Sequence, residues 1–140
     1  MAQLPALLIA ASCLIVLALG SAHLLLTYSG TKFHPRDPAV TQKMQEVSPQ
    51  ISSQTTLWDA GMGFHASHSL GAMLFGLVYL GLALGDAAVL FQSRYLQILG
   101  LAYLCAMVAL AKRYWFKVPL RGISAATALY AMGFSLLLIQ

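Results

Sequence analysis

Apolar residues fill four long runs of the chain, and the polar positions are gathered between them rather than alternating with them. The first run extends from about residue 4 to residue 27, and no charged side chain precedes Lys32. The second is bounded by Asp59 and Asp86, the third by Arg94 and Lys112, and the fourth begins near Pro119 and continues to the end. A bilayer has a hydrocarbon core about 30 Å thick and a helix rises about 1.5 Å per residue, so about 20 mainly apolar residues cross it. No water is available there to satisfy backbone groups, and runs of this length satisfy them only as helices. The pattern therefore predicts an all-α fold, a transmembrane four-helix bundle forming a single membrane domain over 1–140. Its spans lie at about 4–27, 58–85, 95–112 and 119–139. The third is the shortest, and it crosses if Arg94 and Lys112 snorkel to the two interfaces.

The connection over 28–57 is the one long polar segment. Gly30, Pro35 and Pro38 break the first helix. Asp37 followed by Pro38 is a good N-cap and first-turn pair, and Val40, Met44 and Val47 then recur at helical spacing opposite Gln42, Lys43, Gln45 and Glu46. A short amphipathic cytoplasmic helix between spans one and two follows, stopped by Ser48 and Pro49. It covers the inner end of the bundle or, in a sharper reading, docks a partner or gates a site.

Composition agrees with a membrane setting. The chain is 59% hydrophobic and 9% charged, with a mean hydropathy of +0.76, against about a quarter charged for a soluble domain. Lys32, Arg36, Lys43, Lys112, Arg113, Lys117 and Arg121 fall in loops on one side and only Arg94 on the other. That asymmetry places the basic face in the cytoplasm and both termini outside it. Tyr28, Trp58, Tyr114 and Trp115 sit at the same ends, where amphipathic rings prefer to lie. The net charge of +4 is then accounted for by topology and anionic lipid, with no nucleic-acid partner. Met1-Ala2-Gln3-Leu4 lacks the basic start of a signal peptide, so the first run is read as an uncleaved span. Cys13 and Cys105 lie mid-span on different helices, without a Cys-x-x-Cys pair.

Candidate chemistry centres on GFHASHSLG, residues 63–71. Projected at about 100° per residue, Gly61, His65, His68, Ser69, Ala72, Gly76 and Ala83 share one face of the second span. Leu70, Met73, Leu74, Leu77 and Leu80 fall on the other. In membrane helices a stripe of small and polar residues faces neighbouring helices. The first span has a matching line in Ser12, Val16, Gly20, His23 and Thr27, and His23 and His65 come out at similar depth. The fourth contributes Ser124, Thr127 and Ser135 as a hydroxyl stripe. These groups are expected to form a polar patch in the cytoplasmic half of the bundle.

The plainest role for His23, His65, His68 and Ser69 is hydrogen bonding across helices, at about 0.6 kcal/mol per contact. Imidazoles from two helices can also ligate a haem b iron or, as three, a transition metal. A lipid or quinone head group is a further candidate. Apart from Asp59, Lys112 and Arg121 at span ends, no Asp, Glu, Lys or Arg lies inside a span, so carboxylate proton relays and voltage sensing have no support. Ser67 and Ser69 lack an orienting acid, Asp59 being two turns nearer the interface, and whether the chain is an enzyme stays open.

The set His23-Leu24-Leu25-x-Thr27, Phe33-His34-Pro35-Arg36-Asp37-Pro38, Thr56-x-Trp58, Gly63-Phe64-x-x-Ser67-His68-Ser69-Leu70-Gly71 and Arg113-Tyr114-Trp115-Phe116-x-x-Pro119-x-x-Gly122 resembles an uncharacterised family of small bacterial four-span integral membrane proteins. The resemblance covers nearly the whole chain, implies an inner-membrane location and carries no activity. It also implies that the position of His65 can hold another polar residue such as asparagine, which shifts weight to His23 and His68. Arg113, Tyr114, Trp115 and Lys117 form a candidate lipid or partner surface. The small-residue pairs Gly63-x-x-x-Ser67 and Gly81-x-x-x-Gly85 point to a non-catalytic protein acting by packing, as an accessory subunit of a larger membrane complex or as a homo-oligomer.

Overall fold

A computed structural model describes residues 3–139, and 82% of these are helical, with no strand among them. The elements in chain order are α1 (Gln3–Tyr28), α2 (Pro38–Glu46), α3 (Leu57–Leu84), α4 (Ala87–Gln92), α5 (Arg94–Tyr114) and α6 (Lys117–Leu138). Helices α1, α3, α5 and α6 are each long and apolar enough to cross a membrane. Their ends lie within a few residues of the boundaries expected from charge and proline. Helix α5 reaches 21 residues because it takes in Arg94, Lys112 and Arg113 at its ends, where long cations extend toward water. The six-residue α4 was not expected, since a single turn and a half between Asp86 and Ser93 carries no readable periodicity.

The chain divides into two compact units, Met1–Leu19 with Ala72–Gln140, and Gly20–Gly71. The first unit holds the apolar core, built around Ile9, Cys13, Val16, Leu104, Ala126 and Tyr130. Close backbone approach is made possible by glycine. A Cβ on Gly76 would stand 3.0 Å from the Cys13 carbonyl oxygen, and one on Gly133 would stand 2.9 Å from Ile9 Cγ1 and 3.1 Å from the Pro5 carbonyl oxygen. Dispersion contacts of this kind replace the hydrophobic drive that is missing in lipid. Gln97, fully buried in α5, donates through Nε2 to the carbonyls of Leu90 (3.1 Å) and Phe91 (2.8 Å), and its Oε1 accepts from Arg94 Nη1 at 3.0 Å. It thereby satisfies carbonyls at the end of α4 that the helix leaves open.

In the second unit, Gly30 adopts φ 101°, a left-handed conformation that lets the chain turn after α1. Asp37 caps α2 by accepting from Ala39 N at 2.9 Å. Thr56 and Asp59 bond reciprocally before α3: Asp59 N donates to Thr56 Oγ1 (3.1 Å) and Thr56 Oγ1 to Asp59 Oδ2 (2.9 Å). The backbone of Leu57 donates to the Val47 carbonyl at 2.8 Å, tying the exit of α2 to the entry of α3. No residue of α2 is buried.

The inward faces of α1 and α3 follow the expected projection. Ser12, Val16, Gly20 and Thr27 are buried, as are Ser69, Ala72, Gly76 and Ala83, while Leu70, Leu74 and Leu77 are exposed. Helix α6 corrects the expectation of a hydroxyl stripe. Ser124 and Ser135 are exposed and the buried face is Ile123, Ala126, Tyr130 and Gly133. The hydroxyls of Thr127 and Ser135 donate to carbonyls four residues back, Ile123 (2.7 Å) and Ala131 (2.8 Å), and so need no partner on another helix.

Candidate functional site

Within the second unit α1 supplies His23 and α3 supplies His65 and His68, three residues apart and therefore on one side of their helix. His23 Nε2 and His65 Nδ1 lie 3.2 Å apart and share a hydrogen bond, one ring donating and the other accepting. The His68 ring meets His23 edge-on at 5.5 Å between centroids. All three imidazoles are half-buried. Phe33, from the loop after α1, covers the pair: its ring centroid is 4.5 Å from that of His23 and 5.1 Å from that of His65, on which it stacks at 22°. Phe64 stacks on His68 at 6.1 Å. A second loop-to-helix contact joins His34 and Trp58, edge-on at 4.8 Å.

The cluster is thus an imidazole group closed on one side by a loop phenylalanine. Phe33 enters the sequence reading only within the motif over residues 33–38 and not as a site residue, although an aromatic residue within an otherwise polar loop is a visible signal. Ser69 is buried beside the histidines, yet its Oγ donates to the His65 carbonyl at 2.8 Å, and exposed Ser67 donates to the Phe64 carbonyl at 3.1 Å. Both hydroxyl protons are therefore committed to backbone, and Asp59 is engaged at the helix start. This arrangement lacks the base-to-hydroxyl contact that an activated serine requires.

The same imidazoles are the candidate ligands for a metal or haem iron. Among the described residues no three His, Cys, Asp or Glu side chains are grouped to hold a metal ion. An iron with two axial imidazoles requires nitrogens aimed at a point between the rings and a flat slot for the porphyrin. Here the His23 and His65 nitrogens are aimed at each other, and Phe33 packs over both rings.

The other sequence-derived surface lies at the end of α5. Arg113 and Tyr114 are exposed, with Arg113 Nε donating to Tyr114 Oη at 3.0 Å and its guanidinium 5.5 Å from the ring centroid. Trp115 is half-buried against the core, and its backbone N–H closes α5 on the Ala111 carbonyl at 3.0 Å. Lys117, exposed, opens α6. Of the four, Arg113, Tyr114 and Lys117 are exposed and Trp115 is half-buried.

Along α3, Gly63, Ser67 and Gly71 are all exposed at spacings of four. A Cβ on Gly63 or Gly71 would meet nothing within 4 Å. Set against protein-family models, curated proteins and solved structures, the chain matches none.

Proposed function

We propose that this is a non-catalytic integral membrane protein that acts by helix packing, as an accessory subunit of a membrane complex or as a homo-oligomer. The observation that carries the reading is the strip Gly63, Ser67 and Gly71, small residues left facing outward on a membrane-length helix with open space above them. Small residues repeated every fourth position let a second helix approach closely, and in lipid that approach is the main source of association energy. The bulky neighbours Phe64, 68% exposed, and Leu70, 55% exposed, give the strip a ridge on either side. In this reading the protein resides in a bacterial inner membrane with both termini outside the cytoplasm, and the His23, His65 and Phe33 contacts brace the helices that present the strip.

Copurification in mild detergent tests the proposal. A stoichiometric partner or second copy should accompany the wild-type chain and be lost in Gly63→Leu. A wild-type chain recovered alone as a monodisperse monomer would count against it.

A second reading is supported by the same cluster. Three imidazoles that are only half-buried can donate to a quinone carbonyl or a lipid head group. It predicts that His23→Ala or His68→Ala abolishes a bound lipid or quinone in organic extracts of the purified protein while the fold persists. An absorption spectrum with elemental analysis on that sample tests haem b or a transition metal.

A further inference from the structure

Helix α2 has two unlike sides. On one, Ala39, Val40, Met44 and Val47 form with Leu57 an apolar groove of about 480 Å³, with Lys43 on its margin. On the other, Lys32, His34, Arg36, Thr41 and Gln45 line a polar cleft of about 660 Å³. The acids of this segment are engaged within it. Asp37 caps the helix, and Glu46 accepts from Gln42 at 3.0 Å and lies 3.6 Å from Lys43. Lys32 and Arg36 stand exposed.

We propose that α2 docks on the anionic face of the bilayer, its groove entering the boundary between head groups and acyl chains while Lys43, on the groove's margin, holds a lipid phosphate. Two observations select lipid as the occupant. The groove shares a wall with Leu57, the first residue of a membrane-length helix, and the Val47 carbonyl is bonded to that residue's N–H at 2.8 Å. The apolar edge of α2 is therefore pinned where a span enters the bilayer. Lys43 gives the groove a basic margin, complementary to anionic lipid, and an amphipathic helix with such a rim binds in the interface plane. Exposed Ile51, at 93%, adds a further apolar anchor in the same connection.

The test uses the full chain in a Cys105→Ala background, reconstituted in vesicles of phosphatidylcholine with or without phosphatidylglycerol. A nitroxide is placed at Val40→Cys or at Gln45→Cys. With phosphatidylglycerol present, the label at 40 should be reached by oxygen in preference to a water-soluble nickel chelate, and the label at 45 should show the reverse. Adding Lys43→Gln should move the docking equilibrium by about fivefold toward water, from the usual contribution of a basic side chain near such a surface. Equal nickel access at both positions in both lipids would overturn the proposal. So would a label at 40 shielded from both quenchers, which signifies a packed protein contact, or docking unchanged by loss of the Lys43 cation.

Discussion

Two buried polar side chains of the first unit illustrate how a hydrogen bond decides the worth of a residue in an apolar core. Gln97 makes both of its amide protons count, whereas Ser12 Oγ is buried with no hydrogen-bond partner. Leaving a buried donor or acceptor unsatisfied costs about 1–3 kcal/mol, and replacing one that was never satisfied removes that cost. Gln97→Leu should therefore lower stability by about 1–3 kcal/mol, and Ser12→Ala should leave it unchanged or raise it by about 1 kcal/mol, read from unfolding in mild detergent. The histidine pair makes a conservative test of the same idea. Asparagine at 65 can still bond to His23, so His65→Asn should retain wild-type stability while His65→Ala loses about 0.6 kcal/mol. Equal loss in both variants would show that the ring contacts with Phe33, not the hydrogen bond, hold this point.

At the scale of elements, legibility in the sequence tracked the number of turns available to show a period. Helices α1 and α3 run 26 and 28 residues, and their small and polar positions repeat often enough to reveal the inward face. Helix α4 offers six residues, and no period can be read from it. Helix α6 departs from the expected stripe because a hydroxyl needs no partner across helices. Those of Thr127 and Ser135 are satisfied by their own backbone, and Ser135 faces outward. Of the candidate site, His23, His65 and His68 were legible because depth follows from residue count along each helix. Phe33 was not, because a loop's fold is fixed by local turns such as that at Gly30 rather than by periodicity. Glycine positions separate the close contacts from the open surface. Gly76→Leu should prevent stable folding, since even a Cβ there would press on the α1 backbone at 3.0 Å, whereas Gly81→Leu, with nothing within 4 Å, should be accommodated. Yield of monodisperse protein and its unfolding temperature report both.

For the whole molecule, the proposed topology of four crossings puts the two termini on one side of the membrane. Seven basic residues on one set of loops, against Arg94 alone on the other, favour placing that side outside the cytoplasm. A C-terminal alkaline phosphatase fusion should be active and a fluorescent-protein fusion dark; the opposite pattern would overturn the charge argument. The proposed function assigns association in and on the membrane to the small-residue strip on α3 and to the amphipathic helix at the span entry. The most direct measurement of that account is native mass spectrometry of the protein released from mild detergent. The account predicts a mass above the 15.0 kDa of one chain, either an integral multiple or the sum with one partner, reverting to a single chain in Gly63→Leu. A wild-type spectrum showing only the single chain, or an assembly unaffected by that substitution, would contradict it.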